Sequence, residues 1–132
     1  MNHDTEEIAA SHVVVHAEDG LDILGFSEHE DGKGKYLLLQ RPRHFDEQDR
    51  ALGMDKVHIQ ISDASRSCYG GILEVVISDD RIIFTFDDRA SAVLCVNQRL
   101  AVRVDGALLA STRAADRVAS MCAPDGARII RR

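Results

Sequence analysis

The segment ILEVVISDDRIIFTFD, residues 72–87, decides the fold class of this chain. Both halves are short and rich in β-branched residues, and Ile82, Phe84 and Phe86 alternate on one face of the second half. Asp79 and Asp80 lie between the halves as a two-residue turn, although neither is the glycine that a type I′ turn prefers. The segment therefore predicts an antiparallel hairpin of strands over 72–78 and 81–87.

Further strands are predicted on both sides of this hairpin. Alternation is cleanest in KVHIQIS, where Val57, Ile59 and Ile61 face one way and His58 and Gln60 the other. The segment from 63 to 71 is expected to be a loop. The predicted strands outside the hairpin cover 11–17, 21–26, 35–41, 56–62 and 99–105, and the first two are joined by a turn at 18–20.

Two helices are predicted late in the chain. A short one covers 88–95 with Asp87 or Asp88 as its cap, and a longer amphipathic one covers 107–122 before Pro124 and Gly126 end it. Short strands joined to their nearest neighbours and one good late helix predict an α+β fold. We expect a mainly antiparallel β-sheet with the C-terminal helix packed on one face and one or two short helices.

The composition is that of a globular protein with an uneven charge. The 132 residues suit a single domain over 1–132, and the net charge is −6. Residues 1–31 carry nine acids and no Lys or Arg, whereas 99–132 carry seven Arg and three acids. Residues 1–10 are expected to be a mobile acidic N-terminus. No nucleic-acid partner is expected, because the chain is acidic and no aromatic residues interleave its C-terminal arginines.

The cysteines and the first residues indicate a compartment. Cys68, Cys95 and Cys122 are odd in number and form no C-x-x-C motif, which argues against a disulfide framework and a zinc site. The start MNHDTEEIAA has no basic or apolar signal-peptide region, and no apolar run approaches the ~18 residues of a membrane span. We therefore expect a cytoplasmic protein with no membrane partner and no cofactor.

The stretch HFDEQDRALGMD, residues 44–55, concentrates charged groups. Asp46 is placed to cap a short helix, Asp49 occupies the N3 position, and Gly53 suits its C′ position. Paired catalytic carboxylates need desolvation to separate their pKa values, and a short exposed turn offers little of it. The pattern favours a capped surface turn, contacted by a partner, over an acid–base site.

Two other patterns contain residue types that are typical of chemical sites. His12 and His16 are four residues apart on a predicted strand, which separates them by roughly 13 Å, so no metal site is expected. Cys68 lies beside Gly70 and Gly71, which lead into a strand and not into a helix that would lower the thiol pKa. These glycines are predicted to take special φ and ψ values or to form a bulge, and Tyr69 is an exposed aromatic anchor for a partner.

The motifs FDEQDRALGMD and SCYGGILEVVIS, with the strand that ends in Gln40-Arg41, resemble those of the immunity protein ten family. This is a bacterial family found in polymorphic-toxin systems. The resemblance covers about residues 36–87. It implies a non-enzymatic protein that binds and neutralises a cognate toxin domain, and an acidic surface suits a basic toxin. The same motifs could instead form turns that determine the fold, in which case other surfaces would bind the toxin. The candidate contacts are Asp46, Glu47, Asp49, Asp55 and Tyr69.

Two alternatives from other classes remain open at this point. A small hydrolase would pair His44 or His58 with Asp46 or Asp49 as acid–base partners. A structural protein would form a homodimer by pairing the edge of its sheet with that of a second copy.

Overall fold

The computed structural model describes residues 5–132, which contain ten strands and four α-helices. A 3₁₀ turn follows the last helix at Ala123–Asp125. The strands are β1 (Thr5–Ala10), β2 (His12–Glu18), β3 (Leu21–Ser27), β4 (Tyr36–Pro42), β5 (His58–Ile61), β6 (Asp63–Tyr69), β7 (Ile72–Ile77), β8 (Arg81–Phe86), β9 (Arg99–Val104) and β10 (Arg128–Arg131). The helices are α1 (Glu47–Ala51), α2 (Asp88–Leu94), α3 (Gly106–Thr112) and α4 (Ala114–Cys122).

The strands form two five-stranded sheets. Sheet I has the order β2-β3-β4-β5-β6, and every neighbouring pair in it is antiparallel. Sheet II has the order β1-β9-β8-β7-β10. Its central strands are antiparallel, whereas β1 pairs with β9 and β10 pairs with β7 in parallel. The sheets therefore divide the chain mainly by sequence, with β1 as the exception.

The two predicted hairpins are confirmed. In the β7–β8 hairpin, Ser78 N–H donates to the Arg81 carbonyl at 2.8 Å across the turn at Asp79 and Asp80. Neither aspartate takes a positive φ, so the turn is not one of the primed types. The β2–β3 turn does use positive φ, at Asp19 (52°) and Gly20 (77°).

One hydrophobic cluster joins the two sheets and the helices. Strand β1 contacts β3 and β4, and α4 contacts both β3 and β7, so the inner faces of the sheets share this core. The predicted α+β class, mainly sheet with a C-terminal helix, is confirmed. The largest fully buried side chains are Ile8, Leu24, Phe26, Leu37, Leu39, Ile59, Ile61, Ile82, Phe84, Phe86, Leu94 and Leu100.

The structure contains three strands that the sequence analysis did not predict, β1, β6 and β10. Residues 5–10, expected to belong to a mobile N-terminus, form β1 with Ile8 fully buried, while residues 1–4 lie outside the described part. The segment 63–69, expected to be a loop, forms edge strand β6. Strand β10 was also missed. Pairing with a distant strand, rather than local alternation, holds β1 and β10 in place.

The predicted helix over 107–122 is two helices. Arg113 takes a left-handed conformation (φ 57°) and ends α3, and α4 begins at the next residue. The shorter helix at 88–94 agrees with its prediction, and Asp87 caps it by accepting the Ala90 N–H at 2.7 Å. The longest helix of residues 5–132 has nine residues, and none there is long and apolar enough to span a membrane.

Candidate functional site

The segment with the conspicuous acids forms helix α1 with the predicted capping box. The Asp46 carboxylate accepts the Asp49 N–H at 2.7 Å, and the Asp49 carboxylate accepts the Asp46 N–H at 3.1 Å. Gly53 follows the helix with a φ of 73°, as its C′ position requires. Glu47 is exposed in the first turn. Asp46 and Asp49 therefore stabilise the local fold whatever else they contact.

A partly buried ion pair fixes this segment to the rest of the protein. Arg41 on β4 donates to Asp125 at 2.6 Å and to the Met121 carbonyl at 3.2 Å, and its guanidinium lies 5.1 Å from the centre of the Phe45 ring. The other Asp125 oxygen accepts the Val57 N–H at 2.8 Å. Both ends of the 45–57 segment are thus attached to the C-terminal end of α4.

The two glycines after β6 hold Tyr69 in place. Gly70 and Gly71 take φ values of 71° and 100°, and β7 has an irregular register between Ile72 and Glu74, so the predicted special backbone is confirmed. Gly70 N–H donates to the Val57 carbonyl at 2.8 Å, and Arg89 donates to the Tyr69 carbonyl at 2.9 Å. Tyr69 therefore ends β6 on a backbone held from two sides.

The outer face of sheet I, turned away from the core, brings predicted and unpredicted residues together. Strand register aligns its outward side chains in two neighbouring rows that run across five strands. Helices α2, α3 and α4 lie on the inner side, where Arg66 of β6 donates to the Leu94 carbonyl of α2 at 2.7 Å. The rows are Val14–Gly25–Leu38–Gln60–Ser67 and His16–Ile23–Gln40–His58–Tyr69.

Two adjacent hollows occupy this face. The first, of about 330 Å³, has the row of Val14 as its floor and the β3–β4 loop as its wall, with Glu30 and Tyr36 among the lining residues. The second, of about 200 Å³, has Gln40, His58 and Tyr69 as its floor and the α1 segment as its wall, with Asp49 and Met54 lining it. Each hollow is thus lined by one carboxylate and one tyrosine, and no Lys or Arg lines either hollow.

His58 and Tyr69 form the centre of the second hollow. Their ring centroids lie 4.7 Å apart with the planes tilted by 58°. Burial of the imidazole lowers the pKa of His58 from its usual 6.5, so the neutral ring is favoured at pH 7. Asp49 lines the same hollow, but its hydrogen bond runs to the α1 backbone and none joins it to His58. The pair therefore lacks the direct contact of an aligned acid–base couple.

Two larger depressions lie on the described surface, and the first of them adjoins the hollow over Val14 because Glu30 lines both. One of about 670 Å³ is lined by residues 29–34 of the β3–β4 loop alone. The other, of about 470 Å³, lies between the β7–β8 turn and helices α3 and α4. Neither is lined by any of the five predicted partner residues.

The five predicted partner residues divide between two environments. Asp49 and Tyr69 meet in the second hollow, whereas Asp46 and Glu47 are exposed on α1 outside it, and Asp55 is half-buried after the helix. Sequence reasoning missed the first hollow. The alternation of His12, Val14 and His16 would have placed Val14 on an outer face, but no local signal brings Glu30 over it.

The histidines and cysteines of the described residues gather into no metal site. Among residues 5–132, no three His, Cys, Asp or Glu side chains are placed to hold one ion. All three cysteines are free, and Cys95 is the exposed one. Burial raises the pKa of Cys68, and burial with the nearby Asp125 raises that of Cys122 to about 12, so both thiols stay protonated and unreactive.

The fold and this face define a small α+β protein with an open, shallow sheet surface. The family model described as Immunity protein 10 matches residues 9–111, which is most of the chain, so the chain belongs to the Immunity protein 10 family. Comparisons with curated proteins and with solved structures gave no match.

Proposed function

We propose that this protein binds a cognate bacterial toxin domain and neutralises it by direct contact, without catalysis, inside the cell that makes the toxin. The observation that carries the proposal is the match to the immunity family over residues 9–111. Helix α1, the segment that first suggested the resemblance, lies within this range and borders the outer face of sheet I.

The arrangement of polar groups supports binding over catalysis. The only histidine in the two hollows, His58, has no hydrogen bond to Asp49, and Asp46 and Asp49 satisfy each other's backbone across the start of α1. The hollows are shallow, whereas acid–base catalysis depends on groups desolvated and held in hydrogen-bond reach. A broad open face suits a protein partner.

The test is co-expression with the C-terminal domain of the large protein encoded directly upstream. Growth of cells that make this domain should be rescued by the present chain, and the two proteins should co-purify. Titration of the purified domain should then reach full inhibition at about one equivalent, as expected for a tight complex.

The enzyme alternative predicts a different titration. A hydrolase that inactivated the toxin would act at far below one equivalent and would lose its effect in His58→Gln, which retains a polar side chain of similar length. Rescue without a complex, at catalytic amounts, would contradict the proposal.

A further inference from the structure

The outer face of sheet I and that of sheet II differ sharply in charge. The two rows on sheet I contain no Asp, Glu, Lys or Arg, and the acids that line the hollows, Glu30 and Asp49, come from the flanking segments. Four arginines point outward from sheet II, against two acids, Glu7 and Glu74. The four arginines are Arg81, Arg99, Arg103 and Arg128.

The edges of the sheet I face reinforce its acidity. Glu18 ends β2 beside His16, with an oxygen 3.5 Å from the imidazole, and Asp46 and Glu47 are exposed on α1. A cation that approaches from this side meets carboxylates at both ends of the face, and no Lys or Arg lines either hollow. The bases Lys33 and Arg50 lie on the same flanking segments, outside the hollows. Such a potential attracts basic partners and speeds their association.

The floor between these acids suits the stem of a basic side chain. Val14, a residue that is 49% exposed, and Leu38 offer apolar surface in the first hollow, and Tyr69 offers an aromatic ring in the second. Lys and Arg bury their aliphatic stems on such surfaces, and guanidinium groups stack on aromatic rings.

A second copy of the chain is a poor occupant of the same face. Symmetric pairing of this face with itself would bring Glu30 and Asp49 toward the same acids of the copy, and like charges in contact oppose association. The occupant that the charges favour is therefore a different, basic protein.

We propose that the outer face of sheet I is the surface that holds the toxin domain, and that it receives a basic segment whose Lys or Arg side chains enter the two hollows beside Glu30 and Asp49. This proposal rests on the proposed function and adds the binding face and the chemistry of its partner. It also makes Val14, Leu38 and Glu30 contact residues, and none of these three lies in the sequence motifs that resemble the family.

Three variants test the face. Glu30→Lys reverses a charge in an exposed loop, Val14→Lys puts a cation on the apolar floor, and Asp49→Asn removes a charge but retains an oxygen for the capping bond to Asp46. Glu74→Lys is the matched control, because it makes the same charge change on a strand of sheet II's outer face. Urea unfolding of each variant confirms that it is folded.

The measurement is binding kinetics with the upstream-encoded C-terminal domain at about 50 and about 300 mM salt. We expect Glu30→Lys to raise Kd about tenfold, mainly by slower association that depends less on salt. Val14→Lys should raise Kd about a hundredfold by faster dissociation, and Asp49→Asn severalfold. Glu74→Lys should bind within about twofold of the wild type.

The possible outcomes separate the two proposals. A wild-type complex that all three sheet I variants form with unchanged affinity would overturn the binding face and leave the proposed function intact. Weakening by Glu74→Lys alone would overturn it too and move the interface to sheet II. No complex and no rescue with the wild type would remove the proposed function and the binding face together.

Discussion

At the residue scale, backbone conformation separates glycines that look alike in the sequence. Gly53 and Gly71 both have positive φ, at 73° and 100°. A Cβ at Gly53 would meet nothing within 4 Å, whereas one at Gly71 would clash with Cβ of Ala90 on α2. The sequence motifs around both glycines correctly predict unusual φ and ψ values. Only the tertiary contact with α2 shows which of the two glycines tolerates a side chain.

This contrast gives a stability prediction. Gly53→Ala should lower the free energy of unfolding by about 1 kcal/mol, because the left-handed backbone conformation is the one cost that an alanine meets there. Gly71→Ala should lower it by about 3 kcal/mol, because the helix must also move away from β7. Urea unfolding of the two variants and the wild type measures both values. Equal losses would show that α2 does not pack closely on Gly71.

His58 gives a prediction about pH. Its pKa is lowered in the folded protein by burial beside Tyr69, with Gln40 in register and Asp49 in the same hollow. Between the usual value of 6.5 and the lowered value, the unfolded chain binds more protons than the folded one. His58 therefore makes the protein lose stability as the pH falls below 6.5, and it has no such effect above that pH.

The variant His58→Gln isolates this effect. Carboxylates respond to acid equally in both proteins, so the difference between them reports on the histidine. The urea midpoint should fall less in the variant than in the wild type between about pH 7.5 and about pH 5.5. A fall of the same size in both would mean that the imidazole titrates as it does in the unfolded chain.

At the scale of elements, structure formed by neighbouring residues was easier to predict than strands held by distant partners. The β7–β8 hairpin and the capping box of α1 follow from neighbours within a few residues, and both were predicted. Strand β1 was not, because TEEIAA has little alternation and takes its conformation from parallel pairing with β9, where Thr5 aligns with Arg99. The two rows of the candidate site were hidden for the same reason, since they depend on the register of five strands.

The break between α3 and α4 is an element boundary without its usual residue. Arg113 has a φ of 57°, which costs an ordinary residue about 1–2 kcal/mol, and its exposed side chain forms no hydrogen bond or ion pair within the described structure. Arg113→Gly should therefore raise the free energy of unfolding by about 0.5–1 kcal/mol, after allowance for the greater freedom of glycine in the unfolded chain. Thermal or urea unfolding measures this gain.

Arg113→Ala is the matched control for that substitution. It removes the same side chain but keeps the cost of the left-handed conformation, so no gain is expected. If both variants were stabilised alike, the benefit would come from the loss of a positive charge near the C-terminal end of the chain and not from the backbone.

At the scale of the whole molecule, the charge asymmetry of the sequence becomes an asymmetry of faces. Of the acid-rich residues 1–31, Glu28, Glu30 and Asp31 lie in the β3–β4 loop beside sheet I, whereas Glu6 and Glu7 belong to β1 of sheet II. The arginine-rich residues 99–132 supply β9 and β10. Because both sheets turn their inner faces to one core, Arg99, Arg103 and Arg128 point outward from sheet II, while the loop with Glu30 borders the outer face of sheet I. Composition showed the asymmetry, but the fold was needed to show that it separates the sheets.

The shared core also predicts how the molecule unfolds. Inner residues of both sheets and of α2, α3 and α4 belong to one cluster, so neither sheet can lose its structure without exposing the apolar surface of the other. We expect a single cooperative transition in urea with an m value of about 1–3 kcal/mol/M. This transition would also support the expectation of one domain over the whole chain.

Two natural probes allow the test without new fluorophores. Tyr36 and Tyr69, the two tyrosines of the chain, both lie in sheet I, and Cys122, with a thiol pKa of about 12, lies in α4 against the core. In a Cys68→Ala, Cys95→Ser background, which leaves Cys122 as the remaining thiol, tyrosine fluorescence and pulsed labelling of Cys122 should give the same midpoint. If tyrosine fluorescence changed at clearly lower urea than the labelling, sheet I would open while α4 stayed packed on sheet II, and the two sheets would be separate folding units joined by their contacts.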